Sequence, residues 1–199
     1  MTTDPTYYAT PGNVERIYDN VQATMAGVTY PAIQMELWNT IEEFCLRSTF
    51  FRVNIPYIMG PNVRTVDFNP ADGTMVVAGI LKQFGLIWFR VYPPSILVDN
   101  GPSVVNTRQG YVEAFLKPAS FDNGLPEALF NQFFEVILNG VKGRLFGHPG
   151  KPYSSPQFAE YNMKRFRVGI NLARGQAAQL NSGQQAWRYP YFAKGRYKN

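Results

Sequence analysis

Few residues in this chain have types and spacings that could do covalent chemistry. There is one histidine, His148, and one cysteine, Cys45. A single histidine excludes an HExxH zinc site and most His-rich metal sites, and leaves no spare base for a Ser-His-Asp set. A single cysteine excludes an intramolecular disulfide framework and a cysteine-based zinc cluster. His148 opens the segment HPGKPYS. Its Gly-Lys pair lacks the GxxxxGK[ST] spacing of a phosphate-binding loop, and it follows a helical pattern where such a loop follows a strand. Between Gly147 and Pro149, His148 is expected to help cap the last carbonyls of that helix. Glu42, Glu43, Asp67, Asp72 and Asp99 have no derivable common face, so nothing supports a paired-carboxylate hydrolase. The expectation is a protein without catalytic residues, cofactor or metal.

Association is the chemistry that the sequence favours. The net charge is +5, but it is unevenly spread. Residues 1–141 hold 8 Lys/Arg and 13 Asp/Glu, whereas residues 142–199 hold 11 Lys/Arg and one acid, Glu160. A basic end on an acidic body suggests that the end meets something acidic: nucleic acid, another protein, or the body of a neighbouring copy. A solvated basic helix with a tail is the plainer alternative. Lys164, Arg167 and Arg174 fall on one helical face. The chain ends AWRYPYFAKGRYKN. In an extended segment Trp187, Tyr189 and Tyr191 face one way and Arg188 and Pro190 the other. With Phe192 and Arg196, this density of aromatic and basic groups is that of a segment that finds a pocket. A pI near 9.3 also fits a nucleic-acid-binding protein, with aromatics that could stack on single-stranded bases. No RNP, KH, helix-turn-helix or zinc-finger signature accompanies it.

The elements that must position these residues follow from hydrophobic periodicity. At 199 residues and 45% apolar content, the chain can bury the core of one domain. No apolar run approaches the roughly 18–20 residues that cross a bilayer, and no membrane partner is expected. MTTDPTYYATPG is not patterned as a signal peptide; residues 1–12 are expected to form an extended arm. Residues 13–26 carry Val14, Ile17, Tyr18, Val21 and Met25 at helical offsets. Residues 31–48 open on Pro31 and carry the stripe Ile33, Leu37, Ile41, Phe44 and Cys45, which makes Cys45 a small buried hydrophobe. Between residues 50 and 118 the period changes. FFRVNIPYI, RTVDFN, TMVVAGIL, LIWFRVY, SILVDN and YVEAFLK read as short antiparallel strands, with a turn at NPADG and a break at Pro93–Pro94.

A second strong helix spans residues 125–146, with Pro126 in its first turn and Gly147 and Pro149 as its stop. Gly140 and Gly143 would weaken it unless another backbone comes close. A third spans residues 154–178. Ser154 and Gln157 suit a capping box, and Ala159, Met163, Phe166, Ile170, Ala173 and Ala177 form its packing stripe. The short connection makes these two helices antiparallel neighbours. Residues 180–199 form a second arm. The fold class is therefore α+β: an antiparallel helical bundle over residues 13–179, a β-rich insertion between the first two long helices, and two extended arms.

Two stretches carry a resemblance. A helix ending GRLFGHPGKPYS, followed by a helix with the pattern FAEYNMKRFRVGI, resembles the paired helices of tailed-phage head-to-tail adaptor proteins. The earlier helix AIQMELWNTIEEFCLRS is similar to their first long helix, and the β-rich segment matches their layout. The resemblance covers residues 14–178. It implies a virion structural protein at the head–tail junction, assembled in the host cytoplasm. Such a protein forms a homo-oligomeric ring, expected to be a dodecamer, beneath the portal protein. The ring would extend the channel for double-stranded DNA, without sequence recognition, and dock a tail tube or nozzle protein. It further implies that the C-terminal arm inserts against the portal, with Trp187, Tyr189, Tyr191 and Phe192 as anchors and Arg188, Lys194, Arg196 and Lys198 supplying charge.

Overall fold

The computed structural model describes residues 11–59, 65–67, 73–84, 89–91, 96–99, 108–121 and 125–181. Among them the chain is α+β. Its elements run α1 (Pro11–Thr24), α2 (Tyr30–Ser48), β1 (Arg52–Met59), β2 (Thr65–Asp67), β3 (Met75–Phe84), β4 (Phe89–Val91), β5 (Ile96–Asp99), β6 (Arg108–Pro118), α3 (Glu127–Phe146) and α4 (Pro156–Asn181). The first helix begins at Pro11, so Pro11 and Gly12 do not belong to an extended arm as expected. A proline has no N–H to leave unpaired in a first turn, and its fixed φ suits a helix. The remainder of that expected arm, the first four residues of the NPADG turn and Pro93–Pro94 lie outside the described residues. Gly73, which closes the turn, has the positive φ (66°) expected of it. No helix among the described residues is long and apolar enough to cross a membrane.

The main core joins all four helices. Ile17, Val21 and Met25 of α1 meet Ile33, Leu37, Ile41, Phe44 and Cys45 of α2, Leu129, Ile137, Val141 and Leu145 of α3, and Phe166, Ile170 and Ala173 of α4. Phe133 of α3 lies between Phe44, at 5.0 Å between ring centroids, and Phe50, at 4.8 Å. The seam between α3 and α4 depends on missing side chains. A Cβ on Gly143 would lie 2.7 Å from Met163 Cγ and 3.0 Å from the Met163 backbone nitrogen. One on Gly169 would lie 2.5 Å from both methyls of Val136, and one on Gly140 would strike Thr40 and Phe166. The glycines that weaken α3 locally are thus the ones that admit α4.

Among the described residues two antiparallel three-stranded sheets form, in the orders β1-β6-β3 and β2-β5-β4. In the first, the last strand in the sequence is central: Ile55 of β1 opposes Val112, and Lys82 of β3 opposes Glu113. Tyr57, Val77, Val112 and Ala114 are buried on one side of this sheet. On the other side the Glu113 carboxylate meets Arg52 of β1 at 3.4 Å and Lys82 of β3 at 3.5 Å. Opposite charges on adjacent strands stabilise this pairing. Arg52 has a second task at the corner where α2 turns into β1. Thr49 adopts a left-handed conformation there (φ 49°, ψ 37°), and its N–H bonds Cys45 O. Arg52 donates to Thr49 O (3.0 Å) and to Thr49 Oγ1 (3.1 Å).

The two ends of α3 and the start of α4 differ from expectation in three ways. Gly147 ends α3 in a right-handed conformation (φ −78°), and the left-handed glycine of the connection is Gly150 (φ 71°). Pro126 precedes α3 as its cap residue and does not sit inside the first turn. Ser154 does not head a capping box. Its hydroxyl donates to Phe146 O at 3.4 Å, and Ser155 O takes the first α4 amide bond, from Ala159.

Two glycine substitutions should separate packing from helix propensity. Gly140→Ala gains about 1 kcal/mol of propensity but overpacks a full seam, which costs about 1–3 kcal/mol. Urea denaturation should therefore show no gain or a net loss. Gly175→Ala, in α4 with nothing within 4 Å of its added Cβ, should raise stability by up to about 1 kcal/mol. A stabilised Gly140→Ala protein would show that the seam is loose.

Candidate functional site

The charged groups of the helices converge on α2. Its outer turns bring Glu36, Glu42 and Glu43 to residues distant in sequence. Glu36 is nearly buried, its side chain 8% exposed, and its Oε1 lies 2.9 Å from His148 Nε2. Its Oε2 accepts from Asn39 Nδ2 at 3.2 Å and lies 4.0 Å from Arg144 Nη1. Arg144 Nη2 also donates to Glu43, which accepts from Arg47 at 2.6 Å. Glu42 pairs with Lys117 of β6. Arg144 Nε is buried without a partner. The carboxylates at 42 and 43, which shared no derivable face, are therefore divided between the sheet and the end of α3. The His148 ring was expected among the last carbonyls of α3 but turns to Glu36. Its backbone N–H does the capping, bonding Leu145 O at 3.0 Å. The last carbonyls of α3 already accept from Gly147, His148 and Ser155, and a buried carboxylate is the stronger acceptor for a ring N–H.

Beside this cluster lies an open groove of about 670 Å³. Glu36, Arg144 and His148 form one wall, and Glu160, Met163, Lys164 and Arg167 of α4 form the other. The structure thus brings Lys164 and Arg167 together with Arg144. Arg174, two turns further along α4, is exposed and lies outside the groove lining. Trp187, Arg188, Tyr189, Tyr191, Phe192 and Arg196 lie outside the described residues. Electrostatically the groove is mixed, with bases over two carboxylates, and suits a polar or charged surface better than an apolar ligand.

A second feature of α4 was not anticipated. Phe158 (59% exposed), Tyr161 (56%), Val168 (53%) and Leu172 (65%) form an apolar stripe on the outside of the helix. Arg165 stands at its midpoint, donating to Tyr161 Oη at 2.9 Å with its guanidinium 5.6 Å from that ring's centroid. The stripe repeats at steps of 3, 4, 3 and 4 residues through Arg165, and that spacing could have revealed it. Both faces of α4 are then apolar at helical period, one buried against α2 and α3 and one facing outward. An outward apolar stripe carrying Tyr and Arg has the composition of a protein interface.

Cys45 is fully buried. Burial pushes its thiol up to about 12, with Lys117 opposing and Glu42 adding to the shift. This is a packing group and not a nucleophile at neutral pH. Burial likewise pushes the Tyr18 phenol up to about 12, aided by Tyr30, whose ring stacks on it at 3.8 Å.

Two measurements check this arrangement. Removing Glu36 strands the groups that it pairs, so Glu36→Ala should cost about 1–3 kcal/mol. In a double-mutant cycle, Arg144→Ala should cost less in that background than alone; additive losses would show that the two do not interact. The Cys45 thiol ionises near its ordinary value when the chain unfolds but only near pH 12 when folded. Its contribution to stability is therefore complete below the ordinary thiol range and is lost as pH rises towards 12. At mildly alkaline pH, Ellman's reagent should label Cys45 only as urea unfolds the chain. Rapid labelling of the native protein would contradict the burial.

Comparison with protein-family models and with curated proteins finds no match to the chain.

Proposed function

We propose that this chain is a virion structural protein, a head-to-tail adaptor that forms a ring beneath the portal, extends the DNA channel and docks the tail. The observation that carries the reading is the order of parts: α2, a strand-rich segment, α3, the corner GRLFGHPGKPYS, then α4. This order agrees with the layout that the resemblance implies. In this reading the helices are one antiparallel bundle over residues 13–179, the strands are an insertion into it, and the terminal segments are docking arms. The protein acts by assembly and not by catalysis.

The mechanism combines what the resemblance implies with the charge and composition of the chain. The C-terminal arm orders on the portal, and burial of Trp187, Tyr189, Tyr191 and Phe192 offsets the ordering cost. Arg188 and Arg196 supply charge at the rim. Strand edges and loops of the insertion offer main-chain groups to a tail tube or nozzle protein. Double-stranded DNA passes through the lumen without being read. The ring, expected to be a dodecamer, sits at the head–tail junction of the virion. A second reading is a basic nucleic-acid-binding protein, favoured by exposed Lys164, Arg167 and Arg174 on α4.

Native mass measurement of the chain mixed with its portal ring tests the first reading. The portal should gain about twelve chains, the number that the resemblance implies for a closed ring. Truncation after Asn181 should leave a folded body that no longer binds, and Trp187→Ala should weaken binding by more than about 1–2 kcal/mol. Full binding by the truncated chain would sink the arm mechanism. Salt separates the two readings: binding through several phosphates falls steeply between low and moderate salt. Tight, salt-sensitive DNA binding with no portal association would favour the second.

A further inference from the structure

We infer that the outer faces of α4 and α2 are the two halves of one contact, made head to tail between copies of this chain. The inference deepens the adaptor reading by naming the faces that meet, and it rests on that reading only for closure of the ring.

The α4 half is the exposed stripe with Arg165 at its midpoint. Of the bases of α4, Arg165 is the one on the stripe; Lys164, Arg167 and Arg174 lie on a different face of the helix. The α2 half has the opposite sign. Its charged residues that reach solvent are Glu42, Glu43 and Arg47, whereas Glu36 is nearly buried against His148. Its outer face also carries an apolar rail. Met35 is 54% exposed and Leu46 is 42% exposed, with Asn39 and Glu42 between them at steps of 4, 3 and 4 residues. The rails have the same helical period and similar lengths, about 21 Å on α4 and about 16 Å on α2 at the usual rise per residue.

Charge decides the occupant. The α4 stripe is symmetric about Arg165, with Phe158 and Leu172 seven residues to either side. Two α4 stripes laid antiparallel in a two-fold contact would therefore bring Arg165 against Arg165, which is repulsive. A nucleic acid would satisfy Arg165 but leave Phe158, Val168 and Leu172 against phosphate. The acidic, apolar face of α2 satisfies both. Glu42 gives Oε1 to Lys117 within its own chain and remains one-third exposed. Tyr161 holds Arg165 in place before contact, which lowers the ordering cost of association. A contact between two different faces of one chain is heterologous, and it propagates until the rotation closes.

Charge exchange tests the pairing. The full-length chain, Arg165→Glu and Leu46→Lys would each be studied by native mass measurement across concentration. Leu46 is changed in preference to Glu42 because Glu42 holds Lys117 inside the chain. Circular dichroism melting would verify that each variant is folded, with Val168→Glu replacing Arg165→Glu if that variant is not. The wild-type chain should assemble as concentration rises, and each variant alone should stay monomeric. An equimolar mixture should assemble again, with equal content of the two. The carboxylate of Arg165→Glu then meets an α2 face on which the ammonium of Leu46→Lys, one turn from Glu42, offsets the acid, and the Arg165 kept by the other variant meets an unaltered α2 face. Variants that assemble alone like the wild type, or a mixture that stays monomeric, would overturn the inference. So would a wild-type chain that is monomeric at every concentration. Hydrogen exchange would then assign the stripe to residues 182–199 if α4 loses protection on truncation after Asn181. Portal binding distinguishes the two readings. Charge-dependent assembly without portal association overturns the adaptor and leaves this contact standing; portal association with unaltered variants does the reverse.

Discussion

The carboxylates of α2 decide how the parts of the molecule are joined. Glu36 lies almost out of solvent next to an apolar core. A charge there is unfavourable unless opposite charges and donors surround it. His148, Arg144 and Asn39 do so, and two of them come from the far end of α3 and the turn beyond it. Glu43 takes the same guanidinium, and Glu42 takes Lys117 from the central strand of the larger sheet. One helix thus fixes the sheet and the α3–α4 corner in a common frame. Such pairs contribute geometry more than net energy, because the desolvation of each ion opposes the attraction. Their loss is costly chiefly because the partner is left stranded.

Against that frame α4 is held by shape. Its inner face fits α3 where Gly140, Gly143 and Gly169 leave room, and Phe166 and Ile170 complete the core. Its outer face meets the fold at Phe158, whose ring lies 5.4 Å from that of Phe146, while Tyr161, Val168 and Leu172 are more than half exposed. The chain therefore spends apolar residues on a surface that folding uses little, beside bases that the acidic half of the same chain could answer. That combination favours association with a complementary surface over a solitary existence in water.

Much of the helical framework was legible in the residues. The stripe from Ile33 to Cys45 is buried as its spacing implies, because an apolar face repeated at 3.6 residues has few other places to go. Six short runs rich in β-branched and aromatic residues became strands. Pairing was not legible: β6, the last strand, lies between β1 and β3, and no local pattern encodes which strand takes the centre. The Glu36–His148 contact spans 112 positions, so each residue looks ordinary in its own segment. Arg165 escaped the basic face because it does not share the face of Lys164, Arg167 and Arg174. The outward stripe escaped because periodicity alone cannot tell which of two apolar faces on one helix a neighbour will cover. The aromatic and basic residues from Trp187 to Arg196 lie outside the described residues.

The glycine seam has a consequence for curvature. In a head-to-tail assembly, each copy contributes a fixed angle between its two mating faces, and the sum of those angles decides whether the assembly closes, and at what number. In the contact proposed for this chain the faces belong to α2 and α4, and the distance between those helices is set in part by side chains that are missing at Gly140, Gly143 and Gly169. A single methyl group at the seam would wedge α4 outward and tilt its outer face by a little. Repeated around a ring, a small tilt becomes a gap or an overlap at the last joint. Three glycines would then act as the gauge that sets the circumference, although all of them are buried inside the chain.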